Sequence, residues 1–479
     1  MNTANAFKSI VLSPFPKNVI DQANAAARLK PSSLLAKRLD LRGKTTFSFV
    51  HTPDSVSATA FSVYRNGNGW KLGIHVADVA EYVCENSPLD TEAKKRLASI
   101  KNGIISSDML PSKILEICNL AVGEDKLAVS VLLDIDSKGE VQSIEFEESI
   151  IRVAQSCVFS EIDELLFAAD ASSVFGLRDK YNAYFDNIVA IYELAAIFCN
   201  KRRTNGGLDC EVFHRIYKND ENGNVIDFAR IKEADTQAMI REIGYYVSSA
   251  IGNYFYKKKM PCIYVGMGTI PNDRLDYLCD LIGIEKTENT ASVRTAELAD
   301  KAKGTDFYEF VCDSLANSLP CAEYSDSPIH NSLCGCDKLI SFVNPLRKYS
   351  DLLAQRIIKT FISAKGDPKN LDLNRYRKEI KVAAEKSSTV SNFAYKTAKE
   401  LTEIASIDYL ANNLDKTHTG FTLTKEADGS ILVIMECGAL AIVSKENAKN
   451  FNFEPAKLYE FKVVSIGEED QPAEVRPIA

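Results

Sequence analysis

The sequence lacks an excess of positive charge. Its 57 lysine and arginine residues are outnumbered by 65 aspartate and glutamate residues, which gives a formal net charge of −8 and a pI of about 5.5. A basic balance is the usual electrostatic footprint of a nucleic-acid-binding protein, so the whole-chain charge argues against that class. Because net charge says nothing about distribution, a local basic surface is still compatible with these counts.

Long apolar runs are also missing. No segment approaches the roughly 18 apolar residues of a membrane-spanning helix, and residues 1–10 lack the basic start and apolar stretch of a signal peptide. The 12 cysteines are scattered singly, and the close pair Cys334 and Cys336 lacks the second half of a zinc site. We therefore expect a cytoplasmic protein with reduced thiols and no membrane contact.

The pattern along the 479 residues suggests two or three domains. An Asn-Gly turn at residues 66–69 lies between two strand-like runs and predicts a β-hairpin. Helical periodicity predicts long helices at about 179–203, 234–257, 347–363 and 373–411. From Gly420 onwards several short apolar strands follow each other closely, which suits a small barrel of the OB type, with a small β-sandwich as the alternative.

Three stretches carry the most specific signal. The first is Gly-Trp-Lys-Leu-Gly-Ile-His-Val-Ala-Asp-Val at residues 69–79, the second contains Met109-Leu110-Pro111 and Asn119, and the third is Asn-Pro-Leu-Arg-Lys-Tyr-Ser-Asp at residues 344–351. In order and spacing they resemble the sheet core, the proline turn and the arginine motif of the ribonuclease II / ribonuclease R (RNB) family. The resemblance runs from about Arg38 to Leu410, and the tail resembles the OB-fold domain that follows in that family.

This resemblance implies an α+β fold, in which an antiparallel sheet core with packed helices is followed by a small OB-fold β-barrel. It divides the chain into a short helical N-terminal extension (1–37), an RNB-type exoribonuclease domain (38–410) and a C-terminal OB-fold RNA-binding domain (411–479). The implied activity is processive 3′→5′ degradation of single-stranded RNA. In that reaction the strand is threaded to a buried magnesium site, where metal-activated water hydrolyses the phosphodiester.

The aspartates that the family uses to hold magnesium are not matched in this sequence. The family supplies four of them, and carboxylates are the hard oxygen ligands that magnesium prefers. The first aspartate falls on His51, and the other three fall on Ser57, Thr59 and Ala60 or, with a shift of one residue, on Val56, Ala58 and Thr59. Asp54 is the only acid in this segment. His51 and Asp54 are therefore the remaining candidate metal ligands, and we expect Mg²⁺ only if the protein is active.

Contacts with RNA phosphates require lysine and arginine side chains. Arg347 matches the phosphate-clamping arginine of the family. The other candidate RNA-binding residues are Lys348, Arg356, Lys399 and the aromatic Phe159, which matches a family residue that packs against RNA. Asp351 follows Arg347 by four residues, a spacing that predicts an ion pair on a helix. The alternatives are a structural ion-pair network for the charged residues and a core position for Phe159.

Three functions are compatible with these observations. The leading hypothesis is an RNA-binding protein on the exonuclease scaffold, which threads single-stranded RNA 3′ ends but hydrolyses them poorly or not at all. The second is an active 3′→5′ exoribonuclease with an atypical metal site, and the third is a protein-interaction scaffold. The retained Arg347 motif and the OB-like tail favour the first two, whereas the acidic net charge favours the third.

Overall fold

The computed structural model of the chain describes residues 14–101, 106–168, 174–467 and 471–478. Helices and strands are mixed, with a large sheet in the first third, long helices in the middle and a closed barrel at the end, so the predicted α+β class is confirmed. Residues 1–13 of the predicted N-terminal extension lie outside the described residues. No described helix combines the length and the apolarity that crossing a bilayer requires.

The helices occur mainly after the large sheet. In chain order the described α-helices are α1 (Lys17–Ala26), α2 (Val79–Tyr82), α3 (Pro88–Arg96), α4 (Ser112–Ile117), α5 (Phe159–Phe167), α6 (Phe175–Tyr181), α7 (Phe185–Thr204), α8 (Asp235–Lys257), α9 (Asn272–Ile282), α10 (Ala291–Ala302), α11 (Tyr308–Ser318), α12 (Tyr349–Ser363), α13 (Leu373–Ala411) and α14 (Lys445–Ala448). Short 3₁₀ turns cover Pro31–Lys37, Asn182–Tyr184 and Pro368–Asn370.

The strands fall into the large sheet, three two-stranded pairs and the barrel. In chain order they are β1 (Leu39–Asp40), β2 (Phe47–Val50), β3 (Thr59–Asn66), β4 (Gly69–Ala77), β5 (Ile100–Lys101), β6 (Ser106–Ser107), β7 (Asp125–Ile135), β8 (Val141–Arg152), β9 (Gln155–Val158), β10 (Phe213–Asn219), β11 (Val225–Lys232), β12 (Tyr264–Gly266), β13 (Glu323–Ser325), β14 (Thr417–Lys425), β15 (Ile431–Met435), β16 (Leu440–Val443), β17 (Leu458–Ser465) and β18 (Ala473–Pro477).

The large sheet has seven strands in the order β1-β8-β7-β4-β3-β2-β9. Its predicted hairpin is present: β3 and β4 pair antiparallel up to Asn66 opposite Gly69. The two-residue turn between them places Gly67 at a φ of +59°, the left-handed conformation that tight hairpin turns require and that glycine adopts without strain. Central strand β4 is buried along most of its length, so the helices must cover both faces of this sheet.

The last strands form a closed barrel in the order β14-β15-β16-β18-β17, consistent with the predicted OB-like fold. Helix α13 joins this barrel to the rest of the protein. Its 39 residues contain no proline or glycine that would break the helix. Tyr376 and Ile380 near its start pack in the core of the large sheet, whereas Tyr409 and Leu410 at its end pack in the barrel core.

A fully buried histidine lies inside the large sheet. His75 on β4 contacts Ser62 on β3 through Nε2 (2.9 Å) and Ser130 on β7 through Nδ1 (2.7 Å), and Ser130 contacts Ser149 on β8 (2.6 Å). These bonds satisfy an imidazole that would otherwise be costly to bury. Burial lowers the pKa of His75 to about 4. His75 therefore stays neutral at physiological pH and links four strands.

A buried ion pair fixes the start of α12. Arg356 donates to Asp90 Oδ1 on α3 (2.8 Å), to the Tyr349 hydroxyl (3.2 Å) and to the Val83 carbonyl (2.7 Å). Burial alone would raise the pKa of Asp90, but Arg356, the Asn86 N–H and Lys94 together outweigh burial and hold this pKa below its ordinary value. The structure thus differs from the expectation that Arg356 contacts phosphate, because its guanidinium is buried and already paired with a carboxylate.

We predict that His75 makes the stability of the protein depend on pH between about 6.5 and 4. The unfolded chain binds a proton there that the folded chain excludes, so the free energy of unfolding should fall as the pH falls, by about 1.4 kcal/mol per pH unit at most. Urea unfolding of the wild type and of His75→Gln at several pH values measures this effect. The variant should have the flatter profile, and parallel profiles would contradict the assignment.

We predict that Arg356→Met destabilises the protein by about 3 kcal/mol or more, because it leaves Asp90 buried with less compensation. The matched control is Arg347→Met, which removes an exposed arginine nine positions earlier and should change the free energy of unfolding by about 0.5 kcal/mol or less. Chemical denaturation checks both values. Equal losses in the two variants would show that the burial of Arg356 is not what stabilises α12.

Candidate functional site

The loop between β2 and β3, residues 51–58, is held against the arginine motif. The Ser57 N–H donates to Asn119 Oδ1 (3.0 Å), and the Thr59 hydroxyl donates to the Val343 carbonyl (2.7 Å). Asn119 belongs to the second sequence motif and Val343 directly precedes the third. These two bonds bring the second and third motifs to this loop, and the first motif joins them because the Ala77 N–H donates to the Ala58 carbonyl (2.8 Å).

The segment that carries Arg347 is fixed by the carboxylate of Asp351. This carboxylate accepts from the Asn344 N–H (2.8 Å), from the Ser350 hydroxyl (3.0 Å) and from the Ser341 hydroxyl. The predicted ion pair between Asp351 and Arg347 is wrong. Helix α12 begins only at Tyr349, so Arg347 precedes the helix and the spacing of four residues does not place the two side chains on one helical face.

Arg347 itself presents a free cation. Its backbone carbonyl accepts from the Ser99 N–H (2.8 Å), which holds the main chain, while its side chain is exposed. Within the ranges that the structure describes, the guanidinium of Arg347 has no ion-pair or hydrogen-bond partner. An arginine held by its backbone and unpaired at its tip can contact an incoming anion without first breaking an internal bond.

Lys348 adds a second positive charge next to Arg347. Its side chain lies beside the Tyr324 hydroxyl on β13, and this phenol, followed by the Asp351 carboxylate, raises the pKa of Lys348 above its ordinary value. The ammonium group therefore stays charged at physiological pH. No sequence pattern indicates a role for Tyr324, because the contact joins two segments that no motif connects.

Aromatic rings lie at the start of the loop. Phe159, the first residue of α5, stacks on Phe49 with ring centroids 6.0 Å apart and lies 5.1 Å from the imidazole of His51. Phe159 is 9% exposed, whereas His51 is exposed. Two of the predicted site residues, 108 positions apart in sequence, are thus neighbours. Most of the Phe159 ring is buried in the core, whereas the imidazole of His51 is accessible to solvent.

The other predicted site residues are not part of this arrangement. Lys399 is exposed on α13 and has no ion pair with a described residue, and Arg356 is buried against Asp90 as described above. Asp54 is exposed in a turn that is closed by a bond from the Thr52 N–H to the Ser55 hydroxyl (3.2 Å).

A carboxylate cluster near the large sheet is already neutralised by cations. Among the described residues, one cluster of three potential metal ligands exists, formed by Asp78, Glu81 and Glu148. Lys359 Nζ lies 2.7 Å from Asp78 and 2.6 Å from Glu81, and Arg38 also contacts Asp78 at 2.7 Å. Burial lowers the pKa of Lys359, but Asp78 and its neighbours outweigh burial and raise it. The cluster is therefore a closed ion-pair network.

An acid on α8 is likewise engaged. Both oxygens of Glu242 accept from Arg202 Nε, at 2.9 and 2.8 Å, and both side chains are at least nine-tenths buried. Glu242 is therefore an internal counter-ion of α7 and does not present a carboxylate to a ligand.

Curated proteins similar to this chain include several ribonucleases R. Ribonuclease R 1 of Lactococcus lactis is 26% identical over 419 residues, which cover 86% of this chain and 50% of that protein. Ribonuclease R of Thermotoga maritima is 28% identical over 410 residues, which cover 84% of this chain and 57% of that protein. The chain therefore spans only about half the length of these relatives.

Solved structures with the same fold include both a nuclease and a protein described as a pseudonuclease. RNase R of Mycoplasma genitalium in complex with ribose-methylated single-stranded RNA has a TM-score of 0.82 at 19% identity and covers 100% of this chain and 78% of that one. Yeast Ssd1, described as a pseudonuclease, has a TM-score of 0.67 at 19% identity and covers 91% of this chain and 53% of that one. At these identities the similarity establishes the fold.

The family model described as the RNB domain matches residues 38–364. This range contains the three motifs, the large sheet and the Arg347 segment, and it agrees with the predicted resemblance to the ribonuclease II / R family. The chain belongs to the RNB domain family.

Proposed function

We propose that this protein binds single-stranded RNA 3′ ends at the surface formed by the 51–58 loop, Arg347 and Lys348, and that it does not hydrolyse them. The observation that carries the proposal is the exposed Arg347 guanidinium, which has no partner among the described residues and lies on a segment bonded to that loop. The loop offers hydroxyl groups and an imidazole where the RNB resemblance implies carboxylates.

The chemistry of this surface suits a nucleotide. Arg347 and Lys348 supply two adjacent cations for phosphate oxygens, and the exposed ring of His51, 5.1 Å from Phe159, offers a surface on which a base can stack. RNA as the ligand class is also supported by the RNase R of Mycoplasma genitalium, whose structures include complexes with single-stranded and with double-stranded RNA.

The residues present do not fit a magnesium centre. Magnesium requires near-octahedral coordination by hard oxygen ligands, and the loop contributes one carboxylate, that of Asp54, and a nitrogen ligand from His51. Neither residue belongs to a cluster of three potential ligands in the described ranges. The alternative cluster around Asp78 is filled by Arg38 and Lys359.

The barrier reduction that hydrolysis requires is larger than the groups at this surface can supply. Enzymes lower reaction barriers by about 8–23 kcal/mol, whereas one well-placed donor at the transition state contributes about 3–4 kcal/mol. Arg347 is one such donor, and Lys348 adds a second charge of the same kind. Arg347 and Lys348 can therefore bind the phosphates of the strand, but without a metal-activated nucleophile they do not supply enough stabilisation of the transition state to cleave it.

We predict that the purified chain binds 3′-tailed single-stranded RNA equally well in magnesium, manganese and EDTA, and that the RNA keeps its length. Binding is followed by fluorescence anisotropy, and length by denaturing gel electrophoresis of the same samples. Metal-dependent shortening would contradict the proposal in favour of an active exoribonuclease. Absence of binding at low salt would contradict it in favour of a protein-interaction scaffold.

We also predict that Arg347→Ala weakens RNA binding about tenfold and lowers the slope of log K against log salt by about 0.7, the value for one phosphate contact on a single strand. The matched control is Arg274→Ala, which removes another exposed arginine, on α9. It should leave the affinity and the slope unchanged. Equal effects of the two substitutions would show that Arg347 contributes only general charge.

A further inference from the structure

Helix α13 carries a stripe of exposed lysines along one face. At 100° per residue, the exposed residues Lys378, Lys381, Lys386, Lys396 and Lys399 fall within an arc of about 140°. The opposite side of the helix is buried, with Ala383 and Ala384 in the main core. From Lys378 to Lys399 the stripe is about 30 Å long, since the helix rises 1.5 Å per residue.

These lysines are not neutralised within the protein. None of the five has an ion pair or a side-chain hydrogen bond with a described residue. Three exposed acids share the same arc: Glu385 among the lysines, and Glu400 and Glu403 at the C-terminal end of the stripe. Glu379, at the edge of the arc, is occupied by Lys94 (2.9 Å) and the Tyr349 hydroxyl (3.1 Å). Five lysines that are unpaired among the described residues thus face Glu385 and the adjoining Glu400 and Glu403, so the stripe keeps a local excess of positive charge, although the whole chain carries a net charge of −8.

Apolar groups are exposed among the lysines. Phe393 is 53% exposed and Val382 is 51% exposed, and both project from the same arc of the helix. Val382, Lys378 and Lys386 also line a groove of about 730 Å³, whose other walls include Tyr349 and Leu97. The combination of lysines with an accessible aromatic ring is the arrangement by which proteins hold single-stranded nucleic acid without reading its sequence.

The stripe is connected to the Arg347 segment. The groove wall is the same backbone that holds the arginine motif, because the Tyr349 N–H donates to the Leu97 carbonyl and the Ser99 N–H donates to the Arg347 carbonyl, both at 2.8 Å. A second link runs through β13: the Tyr324 N–H donates to the Ser388 hydroxyl of α13 (2.8 Å), and the Tyr324 phenol lies beside Lys348.

We propose that a single strand of RNA held at Arg347 continues over the groove and along α13, with its phosphates on the lysines of the stripe and one base on Phe393. This inference rests on the proposed function, and it adds a second stretch of contacts outside the 51–58 loop. Charge complementarity selects the ligand: a flexible polyanion meets several cations along about 30 Å at once, whereas the exposed apolar area is confined to isolated side chains.

The test compares a short and a long oligonucleotide, of about 4 and about 16 nucleotides, on the full chain. The variants are Lys386→Ala/Lys396→Ala and Phe393→Ala, and the control is Lys257→Ala/Lys301→Ala, which removes two exposed lysines from α8 and α10. The wild type should bind the long strand more tightly. The double variant should lower the salt slope for the long strand by about 1.4, which corresponds to two phosphate contacts, and should leave short-strand binding unchanged.

Phe393→Ala should weaken long-strand binding about tenfold with little change in salt slope, because stacking is not a charge contact. The inference is overturned if both stripe variants bind the long strand like the wild type while Arg347→Ala still weakens binding. That outcome leaves the proposed function intact. Failure of the wild type to bind either strand removes the proposed function, and the two failures are therefore distinguishable.

Discussion

The carboxylate of Asp351 determines what the arginine motif can do. It is satisfied by the Asn344 N–H and by the hydroxyls of Ser341 and Ser350, so it fixes the chain reversal before α12 and has no bond to Arg347. A carboxylate paired with Arg347 would neutralise its guanidinium and leave Lys348 as the remaining cation of the pair. Because Asp351 bonds to its own turn, the Arg347 guanidinium remains exposed and unpaired among the described residues, on a segment whose backbone is held in place. The proposed RNA contact depends on Asp351 bonding to this turn and not to Arg347.

The sequence predicted those parts of the fold that depend on local patterns. The β3–β4 hairpin follows from its Asn-Gly turn, and α13 runs over the 373–411 range that its periodicity indicated. The β10–β11 hairpin was missed because its exposed face carries Ile216 and Ile231, which weakens the alternation of apolar and polar residues. Local pattern therefore predicts an element well when one of its faces is cleanly apolar.

Long-range contacts decided the errors at the site. Arg356 was predicted to contact RNA, but its partner Asp90 lies 266 positions away and no spacing rule connects the two. The neighbourhood of His51 and Phe159 is equally invisible in sequence, because it arises from the parallel pairing of β2 with β9. By contrast, the shortage of carboxylates around His51 could be read from composition alone. The absence of a residue type can be recognised from the sequence alone, whereas contacts between distant residues can be recognised only from the three-dimensional structure.

The unbroken helix α13 connects the core of the large sheet to the barrel and fixes the distance between them. One end of this helix is embedded in the core of the large sheet through Tyr376 and Ile380, and the other end is embedded in the barrel through Tyr409 and Leu410. A helix of 39 residues without an internal break is a stiff rod of about 58 Å. The helix therefore holds the barrel and the core of the large sheet at a fixed distance from each other. An RNA strand that contacted both would have to be long enough to span that distance.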